Sequence, residues 1–406
     1  MKKTINVAVI GLGGRGSFYA TYILTQYGND SVRITALCDL YQDRVDHVAE
    51  EIEKKTGVKP FRTLDYRDIL RMKDVDAVVV TSSWESHVEI CLNAMEAGIP
   101  CAIEVGGAYS VEDCFKLVET HERTGVPVTM LENCCYGRNE LMLLNMVRKG
   151  VLGEVIHCRG GYCHDLRGEI SFGRENRHYR LNNYMNRNCE NYPTHEIGPI
   201  ASVLDINRGN RFTSLVSVAS KSEGLNRFLE KEKGPSYDLT SKHFAQGDVV
   251  NTLITCANGQ TVSITLETTL PRPYSRQFEV HGTGGTYIED NNSVFLDNEE
   301  YRKKDFAWSH EWNNLEKLRE EYEHPMWKKY LEEGVKGGHG GMDWLVMSEF
   351  INCVKAGKQM PTDVYDMATW MAITPLSEIS IRDKTFVEFP DFTSGKWKNR
   401  KNDLFT

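Results

Sequence analysis

The chain has 406 residues, more than one hydrophobic core usually serves, so two domains are expected. Hydrophobic residues make up 40% and charged residues 26%, an ordinary globular composition, and the formal net charge of −9 argues against nucleic acid and anionic membrane surfaces as partners. No run of about eighteen apolar residues is present, so no segment reads as a membrane span.

Taken in chain order, the first feature is a strand that begins at Ile5. No apolar stretch with a small-residue cleavage site precedes it, which predicts a cytoplasmic protein or one whose export signal has been removed. Residues 5–10 (INVAVI), 33–38, 77–81, 101–104 and 126–131 are apolar runs of strand length, as parallel strands buried on both faces require. Helical patterns lie between them at 18–27, 42–56, 87–97 and 111–124. Strand and helix in alternation predict a doubly wound parallel sheet, a Rossmann domain over residues 1–150.

The loop after the first strand reads Gly11-Leu12-Gly13-Gly14-Arg15-Gly16 and opens a helix. That is the context in which G-x-G-x-x-G binds a dinucleotide. Gly11 permits a tight turn, Gly13 lets the backbone approach a pyrophosphate, and Gly16 lets helix and strand pack closely. Asp39 closes the second strand, where a carboxylate accepts hydrogen bonds from ribose hydroxyls and repels a 2′-phosphate. NAD is therefore expected rather than NADP.

Residues 139–149 form an amphipathic helix with a basic end, and Gly150 and Gly153 mark a hinge. From Val155 the pattern changes. Residues 214–219, 249–256, 261–268 and 277–280 alternate like strands and have no crossover helices between them. Residues 151–406 are therefore expected to form a substrate-binding α+β domain around a largely antiparallel open sheet. An exposed face of that sheet would favour a homo-oligomer. Residues 341–356 and 363–382 read as helices that could pack back on the first domain. The segment 298–335 is charged and Trp-rich and matches no element pattern. Within it the Trp308–Trp327 stretch reads as packing, and residues 316–323 read as a solvated helix face. The 11 cysteines show no C-x-x-C and no metal-ligand spacing, so reduced, buried thiols are expected, with no metal.

The organisation resembles the Gfo/Idh/MocA oxidoreductases. Members usually carry Glu-Lys-Pro after the fifth strand, whereas this chain reads Glu104-Val105-Gly106, without the lysine. Other blocks point to one branch. They are Trp84-Glu85-Ser86-His87, Glu104-Val105, residues 131–136 (LENCCY), 144–150, Gly160-Gly161-Tyr162, Tyr192-Pro193-Thr194-His195, 205–211, Arg272-Pro273-Tyr274, 322–329, 338–343 (GHGGMD) and 363–366. Through them the chain resembles the NAD-dependent glycosidases of glycoside hydrolase family 109, typified by α-N-acetylgalactosaminidases. The likeness runs from the first strand to about Trp397 and is densest after Glu132. The resemblance implies cofactor contacts at Arg15, Asp39, Trp84, His87, Glu104, Val105 and Asn133. It implies a sugar pocket from Glu132, Tyr162, Arg180, Tyr192, His195 and Tyr274. The stretch from Tyr162 to Arg180 is shorter than in typical members, which bears on the pocket rim and on specificity.

The resemblance also implies a redox route to glycoside cleavage of a small-molecule or glycan substrate. Carbon 3 of the sugar is oxidised, the carbon-2 proton becomes acidic, the carbon-1 group is eliminated, water adds, and the hydride returns. The route needs a base and a partner for the carbon-3 hydroxyl. His195 and Tyr192 are the candidates, and either could be the base. His titrates near neutrality, whereas Tyr needs a nearby cation, a part Arg180 could take. The rival readings are a sugar dehydrogenase or epimerase, disfavoured by the missing lysine, and a non-catalytic NAD-binding regulator, disfavoured by the intact His-Tyr-Arg set.

Overall fold

A computed structural model describes residues 4–298, 310–402, 404 and 405. The chain forms two units, one of residues up to Tyr136 with Tyr330–Thr369, the other of Gly137–Lys329 with Trp370–Phe405.

The first unit is built on a parallel sheet of β1 (Ile5–Ile10), β2 (Val32–Cys38), β3 (Phe61–Thr63), β4 (Ala77–Val80), β5 (Cys101–Ile103) and β6 (Val128–Met130). Its order is β3-β2-β1-β4-β5-β6 and every pairing is parallel, the doubly wound arrangement expected. All four residues of β4 are buried, as a central parallel strand requires. β3 has no buried residue, so no apolar run announced it in the sequence. The helical stretch expected over 18–27 begins earlier and changes type. An α-helical turn at Gly14–Phe18 passes into a π-helix at Tyr19–Ile23 and a 3₁₀ turn at Leu24–Tyr27. Such π segments interrupt the regular hydrogen-bond ladder and concentrate at functional sites.

The segment Tyr330–Thr369 completes this unit. Its helix Met342–Ala356 buries Val346, Met347, Phe350 and Ile351. Trp344 stacks on Tyr27 with ring centroids 4.3 Å apart, and the Tyr27 hydroxyl lies 2.6 Å from Ser348 Oγ. Thr129 on β6 donates to the Thr362 carbonyl at 2.8 Å.

The second unit holds an eight-stranded sheet. Its strands are β7 (Val155–Cys163), β8 (Phe212–Ala219), β9 (Val249–Cys256), β10 (Thr261–Glu267), β11 (Glu279–Gly282), β12 (Gly285–Ile288), β13 (Ser293–Leu296) and β14 (Val387–Glu388). The order is β13-β12-β11-β7-β10-β9-β8-β14, antiparallel except where β7 runs parallel to β10. Alternation is clear on β9, where Val250, Thr252 and Ile254 point inward and Asn251 and Leu253 outward. Gly160 on β7 makes room for the helix Thr194–Val203. A Cβ there would stand 2.6 Å from Glu196 Cβ and 3.0 Å from Ile200 Cδ1.

In the segment without a readable pattern, Trp308 lies outside the described residues, while Trp327 is buried and Trp312 exposed. Residues 316–323 are not wholly solvated. They form a 3₁₀ turn and a short helix, and Glu323 is buried against Arg138, whose Nε donates to its Oε2 at 2.7 Å.

Candidate functional site

The glycine loop is assembled by steric demand. Gly11 has φ +92°, and a Cβ there would run into the backbone of Thr81 and Ser82. A Cβ on Gly16 would strike the Gly11 carbonyl and Thr81 Oγ1, and Thr81 Oγ1 itself donates to that carbonyl at 2.5 Å. These two glycines let β1, β4 and the helix meet. Gly13 and Gly14 differ. The atom nearest a Cβ on Gly13 is Arg44 Nη1 at 3.7 Å, and nothing lies within 4 Å of one on Gly14. The protein leaves open the loop backbone that a pyrophosphate would approach, and no side chain caps the helix that follows. The residues present fit a dinucleotide.

Asp39 is buried at the end of β2 and braces this loop. Its Oδ2 accepts from Leu12 N at 2.6 Å and its Oδ1 from Tyr41 N at 3.0 Å. Arg44 Nη1 stands 3.8 Å from Asp39 Oδ2, and the guanidinium lies over the Tyr41 ring at 4.9 Å. The sequence analysis did not single out Arg44. Its place five residues after Asp39, on the helix Gln42–Thr56, was the available signal.

The remaining cofactor candidates divide by exposure. The helix expected to open at His87 opens at Trp84, putting Trp84 and His87 on one face of its first turn. Trp84 lies against Gly106 and donates from Nε1 to the Val105 carbonyl at 3.2 Å. His87 is 1% exposed and donates from Nε2 to the Ser82 carbonyl at 3.0 Å, so it supports the strand end beside Gly11 and offers no surface to a ligand. Burial lowers its pKa to about 4, which keeps the ring neutral. Glu104 accepts from Val105 N at 3.1 Å and from Arg15 Nε at 3.2 Å. Asn133, buried just after β6, donates to Asp343 Oδ1 at 2.7 Å. Burial weighs most against the charge on Arg15, but Glu104, Tyr19 and Asp343 outweigh it and hold the guanidinium protonated.

Of the six sugar-pocket candidates, Glu132 belongs to the first unit, buried on the turn after β6, where its Oε1 accepts from Cys134 N at 3.0 Å. The other five lie in the second unit, which brings them together. Tyr162 ends β7, Arg180 opens the helix Arg180–Asn186, and Tyr192 and His195 flank the start of the helix Thr194–Val203. Tyr162 and Tyr192 have ring centroids 4.4 Å apart, and Tyr274 meets Tyr162 edge-on at 6.3 Å. The Tyr192 hydroxyl lies 3.4 Å from His195 Nε2, with the two rings perpendicular. The Arg180 guanidinium sits over the Tyr192 ring at 4.9 Å, and its Nε pairs with Glu169 at 3.1 Å. Burial opposes that charge most strongly, but Tyr179, Tyr162 and Glu169 hold Arg180 protonated. Tyr274 is 52% exposed.

Two neighbours of this cluster went unread in the sequence. His164 Nδ1 lies 3.1 Å from the Tyr162 hydroxyl and its ring meets Tyr274 edge-on at 5.2 Å. Burial first, then the charge on Arg180, lowers its pKa. Glu169 pairs with Arg180 and lies 3.6 Å from His178 Nε2. His164, Glu169 and His178 all lie in the short stretch between Tyr162 and Arg180. The strand period of two would have put His164 on the Tyr162 side.

Residues 5–132 match the oxidoreductase family with an NAD-binding Rossmann fold, and residues 136–399 match the glycosyl hydrolase 109 C-terminal domain. A glycosyl hydrolase family 109 protein of Stenotrophomonas maltophilia (strain K279a) is 37% identical, over 98% of this chain and 91% of its own length. An alpha-N-acetylgalactosaminidase of Tannerella forsythia is 38% identical, over 97% of this chain and 87% of its own. Among solved structures, levoglucosan dehydrogenase in complex with NADH and levoglucosan superposes with a TM-score of 0.71, covering 95% of this chain and 100% of that one. At 18% identity that is a likeness of fold, the Rossmann domain with its second sheet. The match over residues 136–399 and the two relatives at 37% and 38% identity, covered over most of their lengths, show the family: the chain belongs to the glycosyl hydrolase 109 family.

Proposed function

We propose that this chain is an NAD-dependent glycosidase that removes a terminal sugar, with α-N-acetylgalactosamine as the leading candidate. The observation that carries the proposal is the cluster of Tyr192, His195 and Arg180, with the hydroxyl 3.4 Å from the imidazole and the cation 4.9 Å from the phenol ring. The open backbone at Gly13 and Gly14 and the carboxylate of Asp39 support NAD as the cofactor, with Trp84, Glu104, Val105 and Asn133 around it.

Bound NAD would supply reversible removal of the hydride on sugar carbon 3. The chain's own task is then to move protons. A ketone at carbon 3 acidifies the proton on carbon 2, and the Tyr192–His195 pair takes it. Arg180 fixes a positive charge beside that pair, which favours proton loss from the phenol. Loss of the carbon-2 proton expels the group on carbon 1, and water replaces it. Tyr274, half-exposed beside Tyr162, offers apolar ring surface to a sugar.

Two measurements test the reading. Purified chain should release nitrophenol from 4-nitrophenyl α-N-acetylgalactosaminide with no cofactor added, because the hydride returns in each cycle. Turnover in heavy water should place deuterium on carbon 2 of the released sugar, since the base exchanges with solvent. Stoichiometric NADH release with no nitrophenol would make the chain a dehydrogenase. Nitrophenol release with no carbon-2 label and no transient NADH absorbance would remove the redox route.

A further inference from the structure

We propose that Asp343 is a positioning residue for the cofactor, acting through Arg15 to set how firmly the dinucleotide is held. The inference rests on the NAD reading above. Asp343 is fully buried in the first turn of the helix Met342–Ala356, and four donors converge on its carboxylate. Arg15 Nη1 and Nη2 reach it at 3.2 and 3.1 Å, Asn133 Nδ2 at 2.7 Å and His339 Nδ1 at 2.7 Å. Burial alone would raise its pKa, but His339 and Arg15 hold the carboxyl well below the usual carboxylate range, so it stays ionised.

The effect on Arg15 follows from counting donors. A guanidinium has five N–H groups in a fixed plane. Nε donates to Glu104 at 3.2 Å, Nη1 and Nη2 to Asp343, and Nη2 also to the Tyr19 hydroxyl at 2.5 Å. Four are committed, and the fifth, on Nη1, meets no acceptor among the described residues. The Arg15 side chain is 31% exposed, and it belongs to the glycine loop itself. Two carboxylates already face this one cation, so it adds little net attraction for a pyrophosphate. What it adds is one N–H held in a fixed direction, and Asp343 fixes it.

The segment that delivers Asp343 is shaped for the purpose. His339, Gly340 and Gly341 have φ of +48°, +64° and +103°, a tight left-handed turn. A Cβ on Gly338 would lie 2.5 Å from Phe18 Cζ and 2.8 Å from Asp343 Oδ2, so a larger residue there would have to displace the Phe18 ring and the Asp343 carboxylate. Left-handed backbone at a non-glycine residue is costly and persists where the surroundings impose it. Here the His339–Asp343 hydrogen bond imposes it.

The test is the rate at which bound NADH, followed by its fluorescence, is displaced by excess NAD from the full-length protein. Asp343→Asn and Arg15→Gln should each speed displacement about tenfold, and the double variant also about tenfold, because residues that act as a unit do not add. Displacement about a hundredfold faster in the double variant would mean that the two act separately, and would overturn the proposal. Should Asp343→Asn fail to fold, half-exposed His339 provides a second route. His339→Leu should speed displacement about threefold in the parent and not at all beside Arg15→Gln. Parental rates in both Asp343→Asn and His339→Leu would also overturn it. A parent protein that holds no nucleotide would instead end the NAD reading itself.

Discussion

Tyr192 and His195 are three residues apart, and the start of the helix Thr194–Val203 turns both toward Tyr162. If the pair carries the carbon-2 proton, His195→Ala should retain bound NAD while kcat falls by roughly 10²–10⁴-fold, the scale of a lost acid–base group. Tyr192→Phe keeps the ring against Tyr162 and Arg180 and removes only the hydroxyl. It should cost about 10²-fold, and a change under about threefold would reduce Tyr192 to packing. His87 is a histidine of another kind. Buried and neutral, it has a folded pKa near 4 against an ordinary 6.5. Between those values the unfolded chain binds a proton that the folded chain refuses. Its contribution is therefore whole above pH 6.5 and is lost as pH falls toward 4. The loss is about 3.5 kcal/mol at most, from about 1.4 kcal/mol per pH unit over the gap between the two values. Thermal unfolding midpoints should drop across that window in the parent and drop less in His87→Gln. An equal slope in the two would show that other groups govern the acid limb.

At the scale of elements, Gly160 decides whether the helix Thr194–Val203 can lie on β7. Valine there would drive into Glu196 Cβ and Ile200 Cδ1, at 2.6 and 3.0 Å already from the first added carbon. Overpacking of this kind costs about 1–3 kcal/mol, and the helix it displaces carries His195. Gly160→Val should lower both the melting temperature and kcat while NADH displacement stays at the parental rate. Loss of bound nucleotide as well would mean that the damage spreads beyond the second unit. The same strand shows where the sequence was readable. β1 coincides with its expected span, and the buried runs of β2, β4, β5 and β6 were plain because parallel strands are apolar on both faces. β7 was not named as a strand, since Gly160 and Gly161 interrupt its pattern for packing reasons visible only once the helix is in place. β12, β13 and β14 are four residues or fewer, too short for a periodicity to show. The glycine loop was legible because its spacing is local. The donor set of Asp343 was not, because Asn133 and Arg15 lie 210 and 328 residues away in sequence.

Those long separations matter most for the molecule as a whole. The first unit is made of two pieces of chain, and the piece Tyr330–Thr369 arrives after the second unit's sheet is nearly complete. It brings the stacking partner of Tyr27, the acceptor of Thr129 and the carboxylate that holds Arg15. It also covers apolar surface, since Val346, Met347, Phe350 and Ile351 are buried. Burying each such side chain contributes about 1.5–3 kcal/mol, comparable in sum to the stability of a whole domain. A chain ended at residue 150 keeps the entire glycine motif, Asp39 and all six parallel strands, yet lacks this cover. We therefore expect it to aggregate, or to stay soluble without enhancing NADH fluorescence. Joining residues 330–369 to it through a flexible linker should restore binding, and should fail to do so when the joined segment carries Asp343→Asn and His339→Leu together. The sequence motif alone argues the other way, for a self-sufficient nucleotide domain in the first 150 residues. A monomeric 1–150 chain that holds NADH as tightly as the full protein would decide for the motif and against the return segment.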